Sequence, residues 1–401
     1  MHPADEIRGV KSSYLKDKRI ILAVTGSIAA VETIRLAREL IRHGATIIPV
    51  MTSAATRIIH PDSLWFATGV KPIIELTGDT EHVRWCGRVK NPVDLVLIAP
   101  CTANTISKIV HGIDDTAVTT FATTAIGSNR PIIIVPAMHL SMYDHEIIQQ
   151  NIARLEKIGI DFVDPLLKGN KAKVANNKDI VARVIHRIGP RKFHKKKVLI
   201  IGGSTEAAID DVRCLTNKSS GKTAVALAKT SFYNGANVTF WYGQSKEQEP
   251  SFLSVTRFRS IEDVEELIKN SRLDSFDVLI VCAALADYIP KKQKGKIDSS
   301  KKECIIHCHA AKKILPLIRK KAFQNIVVGF KLAETKKQAI SKARQLKNSL
   351  NLDLVVANTI EAIGGKKQRV WIVDDAQTVS CSGSKEEVAQ QILSYVLSVM
   401  S

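Results

Sequence analysis

Aromatic residues make up only 5% of this 401-residue chain, and its 39 acidic residues are outnumbered by 58 lysines and arginines. No apolar run approaches the roughly 20 uncharged residues that span a bilayer, which argues against a transmembrane helix. The opening stretch MHPADEIRGVKSSYLKDKR does not read as a signal peptide, so a cytoplasmic location is expected, with no membrane partner. Seven cysteines, an odd number scattered without a short-domain framework, fit reduced thiols rather than disulfides. The net charge of +19 invites a nucleic-acid reading, but the scarcity of aromatics and the lack of any RNA- or DNA-binding motif argue against such a partner. Much of the excess lies in two short runs, Arg191–Lys197 and Lys291–Lys296, which a solvated face or attraction of small phosphorylated substrates explains as well.

With 45% hydrophobic residues the chain can bury sizeable sheets, and its length suits two or three domains at roughly 100–200 residues each. It starts the same way twice. IILAVTGSIAA (Ile20–Ala30) and KVLIIGGSTEAA (Lys197–Ala208) are each an apolar run followed by a glycine turn. After the first comes a helical pattern in which Ile28, Val31, Ile34 and Ile41 form the apolar face and Gly44 ends the element. Further apolar runs follow at helix-length intervals: Thr46–Met51, Asp94–Pro100 and Pro131–Met138, then Asn237–Gly243, Asp277–Asp287, Asn325–Lys331 and Leu352–Asn358. Continuous rather than alternating apolar strands indicate parallel sheets covered on both faces. The expected fold is therefore α/β, two doubly wound, mostly parallel sheet domains over residues 1–190 and 191–401, divided near the proline, glycine and lysine-rich Ile188–Lys197.

Neither half carries the acid that binds a dinucleotide ribose about 20 positions past the glycines. The second strands end instead in Met51-Thr52-Ser53 and Tyr242-Gly243-Gln244, so a nicotinamide cofactor is not expected, while a flavin mononucleotide or a nucleoside triphosphate stays open. Gly221-Lys222-Thr223 is the tail of a P-loop, but Thr216 stands where that motif needs its first glycine. What remains is Ser219-Ser220-Gly221 opening a small-residue helix, a place where anions bind well. At the carboxyl edge of the first sheet, Gly26-Ser27, Thr52-Ser53, Thr102-Ala103-Asn104 and the Pro136–Asp144 loop supply hydroxyls and amides. Singly, these read as helix caps. Cys304, His307, Cys308 and His309 look like metal ligands, but alternation along a strand would put the cysteines on one face and the histidines on the other, so an ordinary strand is expected.

In their order, AVTGSIAA, APCTANTISKIVHGIDD and PAMHLSMY resemble the signatures of the homo-oligomeric flavin-containing cysteine decarboxylases, specifically the phosphopantothenoylcysteine decarboxylase half of bifunctional coenzyme A biosynthesis enzymes. The resemblance covers residues 18–188. It implies a flavodoxin-like domain with FMN at Gly26, Ser27, Thr52, Ser53, Thr102 and Asn104, His82 as catalytic base, and Met138 against the substrate. FMN would take a hydride from the thiol-bearing carbon and return it after CO2 has left. Two departures stand out: His139 replaces the asparagine that grips the substrate carboxylate, and Pro165–Asn177 lacks the clamp cysteine of many bacterial members. His139 still offers a hydrogen bond to a carboxylate, and Cys86 and Cys101 are weak substitutes as proton donor.

Residues 195–395 resemble the other half, phosphopantothenate–cysteine ligase, through Gly202–Ala224, Ala283–Tyr288, Val328–Glu334 and Val355–Asn358. The resemblance implies a Rossmann-like domain in which the carboxylate of 4′-phosphopantothenate is activated by a nucleotide and is then captured by the amine of cysteine; bacterial members mostly use CTP and eukaryotic ones ATP, and the bifunctional arrangement favours CTP. Asn217 and Lys296 would be catalytic, and Ala283, Asp287, Lys296, Phe330, Lys331 and Lys347 would meet the nucleotide. Asp287 would also meet Mg2+, and Ser219, Ser220 and Gly221 the substrate's phosphate. Trimers of the flavin half and dimers of the ligase half would build a homo-oligomer, up to a dodecamer. Two rivals are a decarboxylase paralogue acting on another cysteinyl substrate and a non-catalytic regulator of the flavin fold. Neither would need the ligase signatures.

Overall fold

The computed structural model describes residues 2–168, 171–298, 300, 303–362, 364–365 and 367–400. The chain divides into two compact units, Met1–Arg191 and Lys192–Ser401. Unit 1 is built on β1 (Arg19–Val24), β2 (Thr46–Met51), β3 (Leu95–Cys101), β4 (Ile132–Pro136) and β5 (Asp161–Phe162). All pairings are parallel and the order is β2-β1-β3-β4-β5, the flavodoxin-like arrangement. Every residue of β3 and β4 is buried, which requires cover on both faces and explains why these strands show no polar alternation.

The helix after β1 differs from its expected form. Residues Ile28–Glu32 make a 3₁₀ turn before the helix Thr33–Arg42, so Ile28 and Val31 stay exposed. The buried face is Thr33, Leu36, Ala37, Leu40 and Ile41, because the tighter turn shifts the phase of every residue before it. Of the Pro165–Asn177 stretch, Leu166–Lys168 and Lys171–Lys173 pair as an antiparallel hairpin, while Gly169 and Asn170 lie outside the described residues.

Unit 2 holds β6 (Lys197–Gly202), β7 (Asn237–Tyr242), β8 (Val255–Arg257), β9 (Val278–Val281), β10 (Ile326–Ala333), β11 (Leu354–Thr359), β12 (Lys367–Val373) and β13 (Thr378–Ser384) in one eight-stranded sheet. Its order is β8-β7-β6-β9-β10-β11-β12-β13, with six parallel strands in the 3-2-1-4-5-6 arrangement of Rossmann sheets and two antiparallel strands added at one edge. Alternate residues of β6 enter separate cores. Val198 and Ile200 pack with the helices Lys222–Tyr233 and Lys385–Met400, whereas Leu199 and Ile201 pack with Ile261–Asn270, Ile314–Lys321 and Lys336–Leu350. The sheet is thus doubly wound.

The cysteine and histidine cluster is strand only in part. Cys308–Ala310 pairs antiparallel with Tyr288–Pro290, but Cys304 and His307 lie outside any strand, so alternation governs only Cys308 and His309. No group of three or more metal-binding side chains occurs among the described residues.

Glycines set the closest approach in unit 2. A Cβ on Gly202 would lie 2.1 Å from the Ala224 Cβ, and one on Gly203, whose φ is +81°, would lie 2.8 Å from the Gly243 backbone. Gly202→Ala is expected to destabilise unit 2 by about 1–3 kcal/mol through overpacking, read from the urea midpoint of the far-ultraviolet circular dichroism signal. Gly78→Ala, where a Cβ meets nothing within 4 Å, should leave the midpoint in place.

Candidate active sites

In an open parallel sheet, ligands bind outside the carboxyl ends of the strands where the order reverses. In unit 1 that point lies between β1 and β3, and Thr25 fastens it. The Thr25 hydroxyl, 1% exposed, donates to the Pro100 carbonyl oxygen at 2.9 Å and accepts from the Thr102 backbone N–H at 3.1 Å. Gly26 follows, and a Cβ there would sit 2.6 Å from the Ala54 Cβ. The backbone after β1 therefore lies against the turn after β2 with no room for a side chain.

Ser27, Thr52 and Thr102 cap the helical segments beginning at Ile28, Ser53 and Ala103. Ser53 and Asn104 are exposed beside them. All six predicted cofactor residues thus line one edge, at the ends of three neighbouring strands. His82, in the short helix Glu81–Cys86, is half-buried, and its buried Nδ1 has no hydrogen-bond partner among the described residues. An orphaned buried polar atom costs about 1–3 kcal/mol, so this nitrogen is open to a partner such as a water or a bound group.

His139 follows β4, with Met138 half-buried before it. The His139 Nδ1 lies 2.8 Å from the Ser141 hydroxyl and accepts the Ser141 backbone N–H at 3.4 Å. An Nδ1 that accepts from an N–H carries no proton, so in the neutral ring the proton sits on Nε2, a donor suited to a carboxylate. Cys86 and Cys101 are packed in the core of unit 1. Burial pushes the Cys86 thiol up to about 12 and the Cys101 thiol higher still, which keeps both protonated and away from solvent.

In unit 2 the order reverses between β6 and β9. Ser204 bridges both sides, pairing with Gln244 and with Ala284, and the Thr205 hydroxyl accepts the Ala286 N–H at 2.9 Å. Asn217 reaches the same loop: its Nδ2 donates to the carbonyl oxygens of Ala284 at 3.2 Å and Leu285 at 3.0 Å. The amide nitrogen is thereby occupied and Oδ1 is left as an acceptor. Ala283 is half-buried next to this contact, and exposed Asp287 pairs with Lys313. Phe330 and Lys331, near the end of β10, are half-buried at the same edge. Gly221, with φ +74°, precedes the helix Lys222–Tyr233, and Ser219 and Ser220 are half-buried beside it.

Lys347 stands apart. It lies in the last turn of Lys336–Leu350, at the amino edge of the sheet, 4% exposed and 2.5 Å from the Asp375 carboxylate. Its ammonium therefore serves an ion pair at the end opposite the other predicted nucleotide residues.

Residues 9–189 match the family model described as Flavoprotein, and residues 193–400 the one described as DNA/pantothenate metabolism flavoprotein C-terminal domain. The chain is 43% identical to the coenzyme A biosynthesis bifunctional protein CoaBC of Thermococcus kodakarensis, over 93% of both chains. It belongs to the CoaBC family. The CoaBC protein of Methanocaldococcus jannaschii is 37% identical over 99% of this chain and 97% of its own. A solved structure of the DNA/pantothenate metabolism flavoprotein from Streptococcus pneumoniae aligns at 25% identity with a TM-score of 0.46, covering 51% of this chain and 99% of that one.

Two sets of residues escaped the sequence reading. Thr25 is one, inconspicuous as a single hydroxyl in AVTGS. Asp210, Asp211 and Arg213 are the other, and they anchor the loop that carries exposed Lys296. Asp210, 2% exposed, accepts from the N–H groups of Val212, Arg213 and Ile297 and from the Arg213 guanidinium; Asp211 accepts from the Gly295 N–H and pairs with Lys292. Burial works against the Asp210 charge, but three backbone donors and Arg213 outweigh it and hold the carboxyl far below its usual range. The acidic doublet in a strongly basic chain was the available signal.

Thiol reactivity checks the packing of both units. Cys214, Cys304 and Cys308 are exposed; Cys86, Cys101 and Cys381 are buried, and burial pushes the half-buried Cys282 up to about 12. Brief iodoacetamide treatment at pH 8 should label the first three, and all seven after guanidinium unfolding, as read by peptide mass mapping.

Proposed function

We propose that unit 2 joins cysteine to 4′-phosphopantothenate with CTP and that unit 1, holding FMN, decarboxylates the product to 4′-phosphopantetheine. The chain is a bifunctional enzyme of coenzyme A biosynthesis, ligase and decarboxylase in one polypeptide. The observation that carries the finer reading is the meeting of Asn217 with the Ala283–Asp287 loop at the strand reversal of unit 2.

In the ligase reaction, the carboxylate of 4′-phosphopantothenate attacks the α-phosphate of CTP and pyrophosphate leaves. The cysteine amine then attacks the acyl carbon and CMP leaves. Lys296, on its anchored loop, supplies positive charge to the phosphate undergoing attack. With its nitrogen bound to Ala284 and Leu285, Asn217 offers an acceptor, which suits the N–H of the incoming amine. Mg2+ binds through one or two carboxylates together with substrate phosphates, so it would enter with the nucleotide and meet Asp287.

For unit 1, the Gly26 cradle, the hydroxyls of Ser27, Thr52 and Thr102 and the orphaned His82 nitrogen suit FMN. Bound FMN supplies the hydride acceptor and donor that brackets the loss of CO2. His139 orients the substrate carboxylate through Nε2, and His82 takes or relays the proton. Exposed Ile28, Val31, Trp65 and Phe66 support a homo-oligomer, in which trimers of unit 1 and dimers of unit 2 are the proposed contacts. A cytoplasmic location completes the reading, and no described helix is long and apolar enough to cross a membrane.

Purified enzyme supplied with 4′-phosphopantothenate, cysteine and CTP or ATP should release pyrophosphate and CO2, each measured separately. Lys296→Gln should slow pyrophosphate release by about 10²–10³-fold yet still decarboxylate added 4′-phosphopantothenoylcysteine. His82→Asn should do the reverse, losing about 10²–10⁴-fold in CO2 release. Pyrophosphate without CO2 from the wild type would reject the decarboxylase, and no cysteine-dependent product with either nucleotide would reject the ligase.

A further inference from the structure

Loss of CO2 leaves unit 1 with a proton to find. The cysteinyl substrate carries its carboxylate on one carbon and its thiol on the next, and the product carries hydrogen where the carboxylate stood. As a hydride leaves the thiol-bearing carbon the thiol gives up its proton, and CO2 then departs from the neighbouring carbon while the bonding electron pair runs towards sulfur. What remains is a carbon–carbon double bond beside a negative sulfur. Returning the hydride to the thiol-bearing carbon requires a proton on the other carbon, and the sulfur requires a second. His82, having taken the thiol proton, can give it back to sulfur. The proton for carbon needs a separate donor, because exchanging a carboxylate for hydrogen consumes one proton overall.

The group that holds the carboxylate is nearest to the carbon that loses it. His139 has that place, with its ring exposed just after β4. A carboxylate within about 4–6 Å favours the charged form of an imidazole, which titrates near neutrality. The His139 Nδ1 lies 2.8 Å from the Ser141 hydroxyl. A hydroxyl accepts as well as donates, so Ser141 can hold the ring whether or not Nδ1 bears a proton, and in both states Nε2 carries one for the substrate. Neighbouring groups are poorer donors. Burial, and next the Asp164 charge, push the Tyr143 phenol above its usual range, and Tyr143 packs on the core of unit 1. Cys86 and Cys101 are sealed inside that core. His145 stands farther along the chain, beyond Asp144, where it caps the helix Glu146–Lys157.

We infer that His139, as an imidazolium, is the acid of unit 1: its Nε2–H binds the substrate carboxylate and, once CO2 has gone, protonates the carbon left behind. The inference rests on the decarboxylase reading and extends it. The Nε2–H bond breaks, a C–H bond forms from the electron pair of the double bond, and the hydride removed at the start returns to the thiol-bearing carbon. The ring ends neutral with its proton on Nδ1, donating to the Ser141 oxygen, and an exposed ring regains its charge from water. An asparagine in the same place could grip the carboxylate but would have no proton to give.

A single turnover of His139→Asn with 4′-phosphopantothenoylcysteine separates grip from proton transfer. CO2 is expected within about threefold of the wild-type rate, while formation of 4′-phosphopantetheine falls by about 10²–10⁴-fold. The flavin colour should stay bleached, and the organic product should be two hydrogens short by mass spectrometry. A His139→Asn enzyme that makes 4′-phosphopantetheine and recovers its colour like the wild type overturns the inference. So does an equal loss of CO2 and product, which would leave the ring with the grip alone. A second measurement needs no turnover. 4′-Phosphopantothenoylalanine keeps the carboxylate and lacks the thiol, so it binds without reacting. Calorimetry in buffers of different ionisation enthalpy, at about pH 7.5, should show the wild type taking up a proton on binding it that His139→Asn does not, and an equal uptake by both overturns the charged ring. If the wild type itself releases no CO2, it is the decarboxylase reading that has failed, whereas a defect confined to His139→Asn bears on the acid.

Discussion

A parallel sheet whose order reverses must hold together two strands that are neighbours in space and distant in the chain, with backbone groups at their ends that have no further strand to pair with. In unit 1 the ends of β1 and β3 that meet there carry the candidate cofactor residues Gly26, Ser27 and Thr102, and in unit 2 Asn217 reaches the same junction. In unit 1 one buried hydroxyl, Thr25, closes it by donating across to Pro100 and accepting from Thr102. In unit 2 the same task is spread over Ser204, Thr205 and Asn217, all bound to the Ala284–Ala286 backbone. Loop backbone that is satisfied in this way can be held rigidly while leaving other polar groups facing outward.

That arrangement explains why small residues gather at the two edges. The turns after β1 and β6 leave no volume for a Cβ at Gly26, Gly202 or Gly203, since Ala54, Ala224 and Gly243 already fill it. Close approach of backbone to backbone is also what brings the ends of neighbouring strands within reach of one ligand. The charged groups are then added from farther away in sequence. Asp210 and Asp211 brace the Lys296 loop.

Much of this was legible in the residues. The apolar runs lie on β1–β4, β6, β7 and β9–β11 because a strand covered on both faces has no reason to alternate. The helix start after Ser219-Ser220-Gly221 was legible because Gly221 must take a positive φ there. The antiparallel pair β12 and β13 was not. Only Cys381 of β13 is buried, so an edge strand with one face in water and few apolar side chains leaves no periodic signal. Ile28 and Val31 misled for a related reason: helical spacing says nothing about a change to a 3₁₀ turn.

The sequence by itself determined the class of fold, the family and the short segments that line each crevice, because local pattern and ordered signatures are carried by contiguous residues. It did not determine which of those residues meet. Lys347 carries the same charge as Lys331, yet one helix length takes it to the opposite edge of the sheet and into an ion pair with Asp375. Asn217 offers an acceptor rather than a donor because two carbonyls from a loop nearly 70 residues away claim its nitrogen. Side-chain chemistry is written in the chain, but which donors are already spent, and which are left for a ligand, depends on long-range packing.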